Sequence, residues 1–294
     1  MDVAGTNVSE YLLTLCSTLD KMPEHQPDLI VSSGGKSAFA SLVLKRRWRI
    51  PNIFVGVPAP FPDRWFDLIV SPVPREFRTA SVVTGLIPNT VTPEQVRAAG
   101  EQYWKGDFPA SPCWALLIGG DSKSHRFSDA DWQGLIDGVN ALARRRHMRW
   151  LVTTSRRTPA EVEAKLAKGL EPHAVAALVL YNQNPQKVVQ PFLAVAERVM
   201  VTQDSLTMAS EALCSGVPVT LLAPQRIELE PGSYFEEMVN GFPRLPGVER
   251  VSMRMLAGYE GGQGGHHGDT LMSLDPIGAE LVQAVRRLTG RAGQ

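Results

Sequence analysis

Apolar runs rich in Val, Ile and Leu recur along the chain with room for a helix between most of them, and this alternation predicts the fold. In the first third, "DLIVSS", "NIFVGV", "DLIVSP" and "SVVTGL" predict four strands, with helices over 9–19 and 36–47. A further helix follows in "TPEQVRAAGEQYWK", where Thr92 caps, Pro93 takes the first turn and Glu94 begins the acidic end. The pattern then repeats more regularly. Strands "CWALLIGG", "RWLVTTS", "AALVLY", "RVMVTQ" and "PVTLLA" are separated by helices over 128–147, 158–169, 185–196 and 206–215. Continuous apolar strands alternating with helices indicate parallel sheets covered on both faces, and right-handed crossovers make the second set a doubly wound sheet. Beyond it lie a helix in "SYFEEMVNG", a stretch without clear periodicity, the glycine-rich "GYEGGQGGHHGD" and a last helix over 275–288.

Length turns this pattern into two bodies, since 294 residues suffice for two domains that each bury a core. "GDFPASP" is the most linker-like segment, which places an N-terminal Rossmann-like domain at 1–108, a C-terminal one at 109–274 and a helix with tail at 275–294. Thirty basic and thirty acidic residues cancel, so no global field favours nucleic acid as a partner. Cys16, Cys113 and Cys214 are too scattered for a zinc site and read as packing residues in a reducing compartment. The first twenty residues lack the basic region and long apolar run of a signal peptide, and no stretch approaches the roughly 20 apolar residues of a membrane span. The expected location is cytoplasmic, with membrane contact at most peripheral, at the inner face.

Several motifs point nowhere further. "GGKS" ends like a phosphate loop, but Ile30 stands where that motif needs its first glycine. Its Ser33, Gly34 and Gly35 still form a strand-to-helix loop able to offer N–H groups to a ligand, or simply a tight turn. "DAD" at 129–131 follows Ser128 and is explained by a capping box of Ser128 with Asp131, so no metal site is expected there. "GGHHGD" reads as a flexible loop tip, and GxGxxG is absent.

Three strand ends carry more. "LLIGGDSKSHRF" supplies Gly119, Gly120 and Ser122 with Lys and Arg close behind, where paired glycines let a ligand reach the main chain. "LVTTSRRTP" supplies Ser155 and the pair Arg156 and Arg157, suited to clamping a diphosphate. "VTQDSLTMASEALCSGVPV" places Asp204 and Ser205 at a helix start. At ~100° per residue, Leu206, Ala209 and Leu213 then fall on one face and Thr207, Ser210, Glu211 and Cys214 on the other. Capping accounts for Asp204 and Ser205 but not for Ser210 and Glu211, a turn deeper. All three segments end strands on the edge where a doubly wound sheet gathers its ligand.

At these residues, and at "NP" over 184–185 and "PDLIVSSGGKSAFASLVLKRR", the chain resembles the mitochondrial-fission "elongated mitochondria" family of glycosyltransferases. The resemblance implies the GT-B architecture: two Rossmann-like domains facing a cleft, a nucleotide-sugar donor held mainly by the C-terminal one, and no bound metal or other cofactor. It puts Gly119, Gly120 and Ser122 at the cleft, Ser155 and Arg156 at the diphosphate, Asp204, Ser205 and Ser210 at the phosphates, and Glu211 at the ribose. Members of the family begin with a strand and a glycine-containing loop, whereas this sequence opens in a helix; the N-terminal domain is therefore expected to lack its first strand. The loop of Ser33, Gly34 and Gly35 remains on the acceptor side, and the catalytic base is unassigned, with Asp121 and His125 the nearest titratable candidates.

The expected activity is transfer of a sugar from a nucleotide diphosphate donor to a glycan or lipid-linked acceptor. Two alternatives stay open. One is a non-catalytic, membrane-peripheral scaffold, drawing on the basic and aromatic residues of "KRRWRIPNIF" and "PAPFPDRWF". The other is an enzyme related to nucleotide-sugar epimerases.

Overall fold

The computed structural model describes residues 27–261 and 269–290. The helix expected over 9–19 and most of the glycine-rich segment, including His266 and His267, lie outside the described residues. The chain divides into two compact units: residues up to Pro88 joined by those from Ser273 onward, and Asn89–Met272.

In the first unit β1 (Ile30–Ser33), β2 (Asn52–Val55), β3 (Leu68–Ser71) and β4 (Ser81–Val83) form a wholly parallel sheet in sequence order. All four expected strands are present. Helix α1 (Gly35–Trp48) covers one face, where Ala38 packs with Phe54, Phe66 and Ile69. The other face, Ile53, Leu68, Val70 and Val82, is covered by Ile277, Leu281, Val285 and Leu288 of the C-terminal helix Asp269–Leu288.

The second unit contains α2 (Pro93–Trp104), β5 (Cys113–Ile118), β6 (His125–Arg126), α3 (Asp129–Arg146), β7 (Arg149–Thr154), α4 (Ala160–Gly169) and β8 (Val175–Val179). It continues through α5 (Val189–Leu193), β9 (Ala196–Thr202), α6 (Leu206–Cys214), β10 (Val219–Ala223), β11 (Arg226–Ile227), α7 (Tyr234–Gly241) and β12 (Val248–Ser252). Six parallel strands run in the order β12-β10-β9-β5-β7-β8, so successive crossovers turn first one way from β5 and then the other, as in a dinucleotide-binding fold. The core lies where Trp114, Leu116, Trp150 and Val152 meet Trp132, Leu135, Val139 and Leu142 of α3, and the Trp150 indole donates to the Val139 carbonyl at 2.9 Å. Ser128 and Asp131 form the expected capping box at the start of α3.

Two expectations change. The stretch without periodicity contains a sixth strand, β12, whose edge position lets Glu249 and Arg250 interrupt the apolar run. The division falls at Pro88/Asn89 rather than at 108/109, because α2 docks on α5 of the second unit. Gly100 approaches Ala194 closely, Trp104 stacks on Phe192 at 6.3 Å, and the Trp104 indole donates to the Pro191 carbonyl at 3.1 Å. "GDFPASP" is therefore a loop within the second unit, and the last helix belongs to the first sheet rather than to a separate tail.

Candidate functional site

A cavity of about 980 Å³ opens in the second unit beside the carboxyl ends of β7 and β8. Its floor is Thr153, Thr154, Ser155 and Arg156, where β7 runs out into a turn. The α6 side contributes Met208 and Glu211, one helical turn apart along the same face. Tyr181, Gln186 and Lys187 come from the segment after β8, and Tyr103 and Lys105 from the end of α2. Three cations thus face a space whose lining contains a single acid, Glu211, and burial raises that carboxyl above its ordinary range. The lining suits an anion carrying polar groups: Lys105, Arg156 and Lys187 for the negative charge, amide and phenol groups for the remainder.

Ser155 and Arg156, after β7, and Glu211, after β9, line one cavity across the intervening β5, whereas Gly119, Gly120, Asp204 and Ser205 form a separate, buried knot. A β-carbon on Gly119 would fall on the Asp204 carboxylate, and one on Gly120 on the Arg157 carbonyl. The space that the paired glycines leave is filled by the protein itself. Asp204 accepts the Gly120 N–H at 3.1 Å and pairs with Arg157 at 2.7 Å, so the two arginines part, Arg157 locking the knot and Arg156 facing the cavity. Burial pushes the Asp204 carboxyl up, against the pull of Thr202, Arg157 and the Gly120 N–H. Ser205 stands at the N-cap of α6, but its side chain makes no cap hydrogen bond. Ser210 is fully buried, and its hydroxyl donates to the Leu206 carbonyl at 2.8 Å. The polar face expected of α6 is therefore carried by Thr207 and Glu211, not by Ser210.

Neither candidate base lines the cavity. Asp121 is exposed, accepts the Phe127 N–H at 3.0 Å and lies 3.5 Å from Arg126. His125 is fully buried, with Nδ1 3.0 Å from the Ser124 hydroxyl, and burial, then Arg250 and Arg157, push its pKa down to about 4. Ser122 closes the same loop by accepting the His125 N–H at 3.1 Å. On the first unit Ser33, Gly34 and Gly35 are exposed where β1 passes into α1; Gly34 takes φ 86°, which suits glycine, while the Ser37 hydroxyl turns back onto the Ser33 and Gly34 carbonyls. Of the basic and aromatic segments, Lys45 binds the Trp65 carbonyl at 2.9 Å and Asp67 at 2.8 Å, and Phe54 and Phe66 are buried. No described helix is long and apolar enough to cross a membrane.

Sequence reasoning missed Tyr103, Lys105, Tyr181, Gln186 and Lys187. Lys187 follows the "NP" pair closely enough that this loop was the available signal. Lys105 has none, because the linker-like "GDFPASP" places its helix in the other domain.

The class follows from fold and comparison together: the two Rossmann-like units define a GT-B protein. A UDP-forming α,α-trehalose-phosphate synthase from Burkholderia xenovorans superposes with a TM-score of 0.57 at 13% identity, covering 95% of this chain and 77% of that one. A Listeria monocytogenes protein assigned as a UDP-N-acetylglucosamine 2-epimerase gives 0.57 at 14% identity, covering 99% and 81%. An E. coli structure described as trehalose-6-phosphate bound with UDP-2-fluoro glucose gives 0.50 at 14% identity, covering 96% and 78%. Among curated proteins none matches by sequence. The family model described as "Mitochondrial fission ELM1" matches residues 7–239, and the chain belongs to that family.

Proposed function

We propose that the chain is a glycosyltransferase that takes a sugar from a nucleoside-diphosphate donor to a glycan or lipid-linked acceptor, with the donor in the cavity of the second unit. The observation that carries this reading is the convergence of Lys105, Arg156 and Lys187 on one cavity at the carboxyl edge of a doubly wound sheet, with Glu211 its single acid. In this arrangement Arg156 and the two lysines hold the diphosphate and stabilise the negative charge that grows on it as the glycosidic bond to the donor breaks. Glu211 accepts hydrogen bonds from the ribose hydroxyls.

Uracil is the donor base to try first, since all three structures compared above are described with UDP or a UDP-sugar. UDP is expected to raise the melting temperature, because a ligand bound to the native state stabilises it. Arg156→Ala removes a charge-assisted hydrogen bond worth about 1.5–3 kcal/mol, so UDP affinity should fall roughly 10- to 100-fold while the melt without ligand is kept. A melting temperature that no nucleoside diphosphate raises would sink the reading and favour the scaffold. The likeness to the epimerase supplies a second reading, and incubation with a sugar nucleotide and a glycan acceptor separates the two: transfer moves the sugar onto the acceptor and releases free UDP, whereas epimerisation leaves the nucleotide on an altered sugar.

A further inference from the structure

Glu163 lies in the first turn of α4 and is buried, unlike Glu161 of the same turn, and it is absent from the cavity lining. Its carboxyl group accepts the Thr154 hydroxyl at 2.5 Å and the Asn182 N–H at 3.1 and 3.2 Å. The Thr154 oxygen accepts in turn the Tyr181 N–H at 2.8 Å, and the Asn182 amide donates to the Thr158 carbonyl at 2.9 Å. One side chain therefore ties the end of β7, which is the cavity floor, to the first two residues of the segment 181–187. That segment is exposed at every position, so little apolar packing holds it, and main-chain hydrogen bonds must fix its course.

We propose that Glu163 is a positioning residue for the cavity: through Thr154 and Asn182 it sets the segment 181–187, and so fixes Tyr181 and Lys187 against Arg156. This rests on the donor reading of the cavity but reaches a residue that touches no ligand. A hydroxyl has one proton, and the Glu163 carboxyl takes that of Thr154, which leaves the Thr154 oxygen to receive Tyr181. In Glu163→Gln the amide oxygen still serves Thr154 and keeps the 3.1 Å bond from the Asn182 N–H, and only the 3.2 Å branch of that bond is replaced by an NH₂ group facing the N–H. In Glu163→Ala both anchors are lost.

Amide hydrogen exchange with and without UDP, on the full chain, tests this. In Glu163→Ala, exchange at Tyr181 and Asn182 should quicken roughly tenfold, and UDP affinity should fall about five- to tenfold, while exchange in β5, β9 and β10 stays as in the wild type. In Glu163→Gln the quickening should be confined to Asn182, at roughly twofold, with Tyr181 held. If Glu163→Ala does not fold, exchange at Asn182 in Glu163→Gln decides. Unchanged exchange at Tyr181 and Asn182 in a folded Glu163→Ala protein overturns the proposal, as does unchanged exchange at Asn182 in Glu163→Gln or quickening spread evenly over the sheet. The exchange readout needs no ligand. If the wild type binds no nucleoside diphosphate, the donor reading fails while this result still decides the role of Glu163. If Arg156→Ala loses UDP but Glu163→Ala keeps wild-type affinity and exchange, only the positioning role fails.

Discussion

Enclosed by Ser124, the edge of the Phe235 ring and the β6–β11 pair, the His125 imidazole has its protonated form disfavoured in the fold. Its pKa lies at about 4 when folded against 6.5 ordinarily, so between these values the unfolded chain binds the extra proton. Stability from this group is full above pH 6.5 and is lost as pH falls towards 4, a change on the order of 2 kcal/mol. Asp204 and Glu211, raised by burial, act in the opposite sense as pH rises, so the contribution is read as a difference. Urea midpoints of the wild type and His125→Gln across pH 4–7 should converge at the acid end, and parallel curves would contradict the assignment. The same residues show what a sequence can and cannot say at this scale. "GG" announces that something approaches the main chain at 119 and 120, but only the fold reveals that the approaching groups are Asp204 and Arg157, more than thirty residues away along the chain. Ser210 likewise has the right helical phase for a polar face, and its return to Leu206 is a rotamer choice that no spacing encodes.

Elements were more legible than their neighbours. The Thr92 cap with Pro93 at the start of α2 and the capping box of α3 were visible as residue types and are realised as hydrogen bonds. The docking of α2 on α5 was not, since it depends on a missing side chain: a β-carbon at Gly100 would sit 2.5 Å from that of Ala194. Helix propensity alone says that Gly100→Ala gains about 1 kcal/mol, but this contact reverses the sign. We expect a net loss of about 1 kcal/mol in urea unfolding, together with weaker UDP binding, because Tyr103 and Lys105 ride on the displaced helix end. A stabilised variant with wild-type affinity would show that α2 has room to spare. The helix expected over 185–196 shrinks to Val189–Leu193: Glu163 holds the turn at Tyr181 and Asn182, and no helix forms until past Pro185–Val188.

For the whole molecule, alternation of strand and helix was enough to read two parallel sheets, and the five strong strands gave the doubly wound order once crossover handedness was applied. The sixth strand and the return of the C-terminal helix were hidden, because pairing at a sheet edge and coverage of a distant sheet leave only short or weak periodic signals. The donor reading makes a prediction at this scale. On adding UDP alone, amide protection should rise in the second unit, at 99–105, 153–156 and 181–191, and not in β1–β4; protection confined to the first sheet would move the donor to the other unit. The C-terminal helix has a consequence for biosynthesis. The second unit is an insertion within the first, so on the ribosome its entire sequence emerges before the last piece of the first. Until Ile277–Leu288 clears the exit tunnel, Ile53, Leu68, Val70 and Val82 present a bare apolar face. A chain truncated after Met272 would carry the whole second unit beside a half-covered sheet, the kind of surface that chaperones recognise.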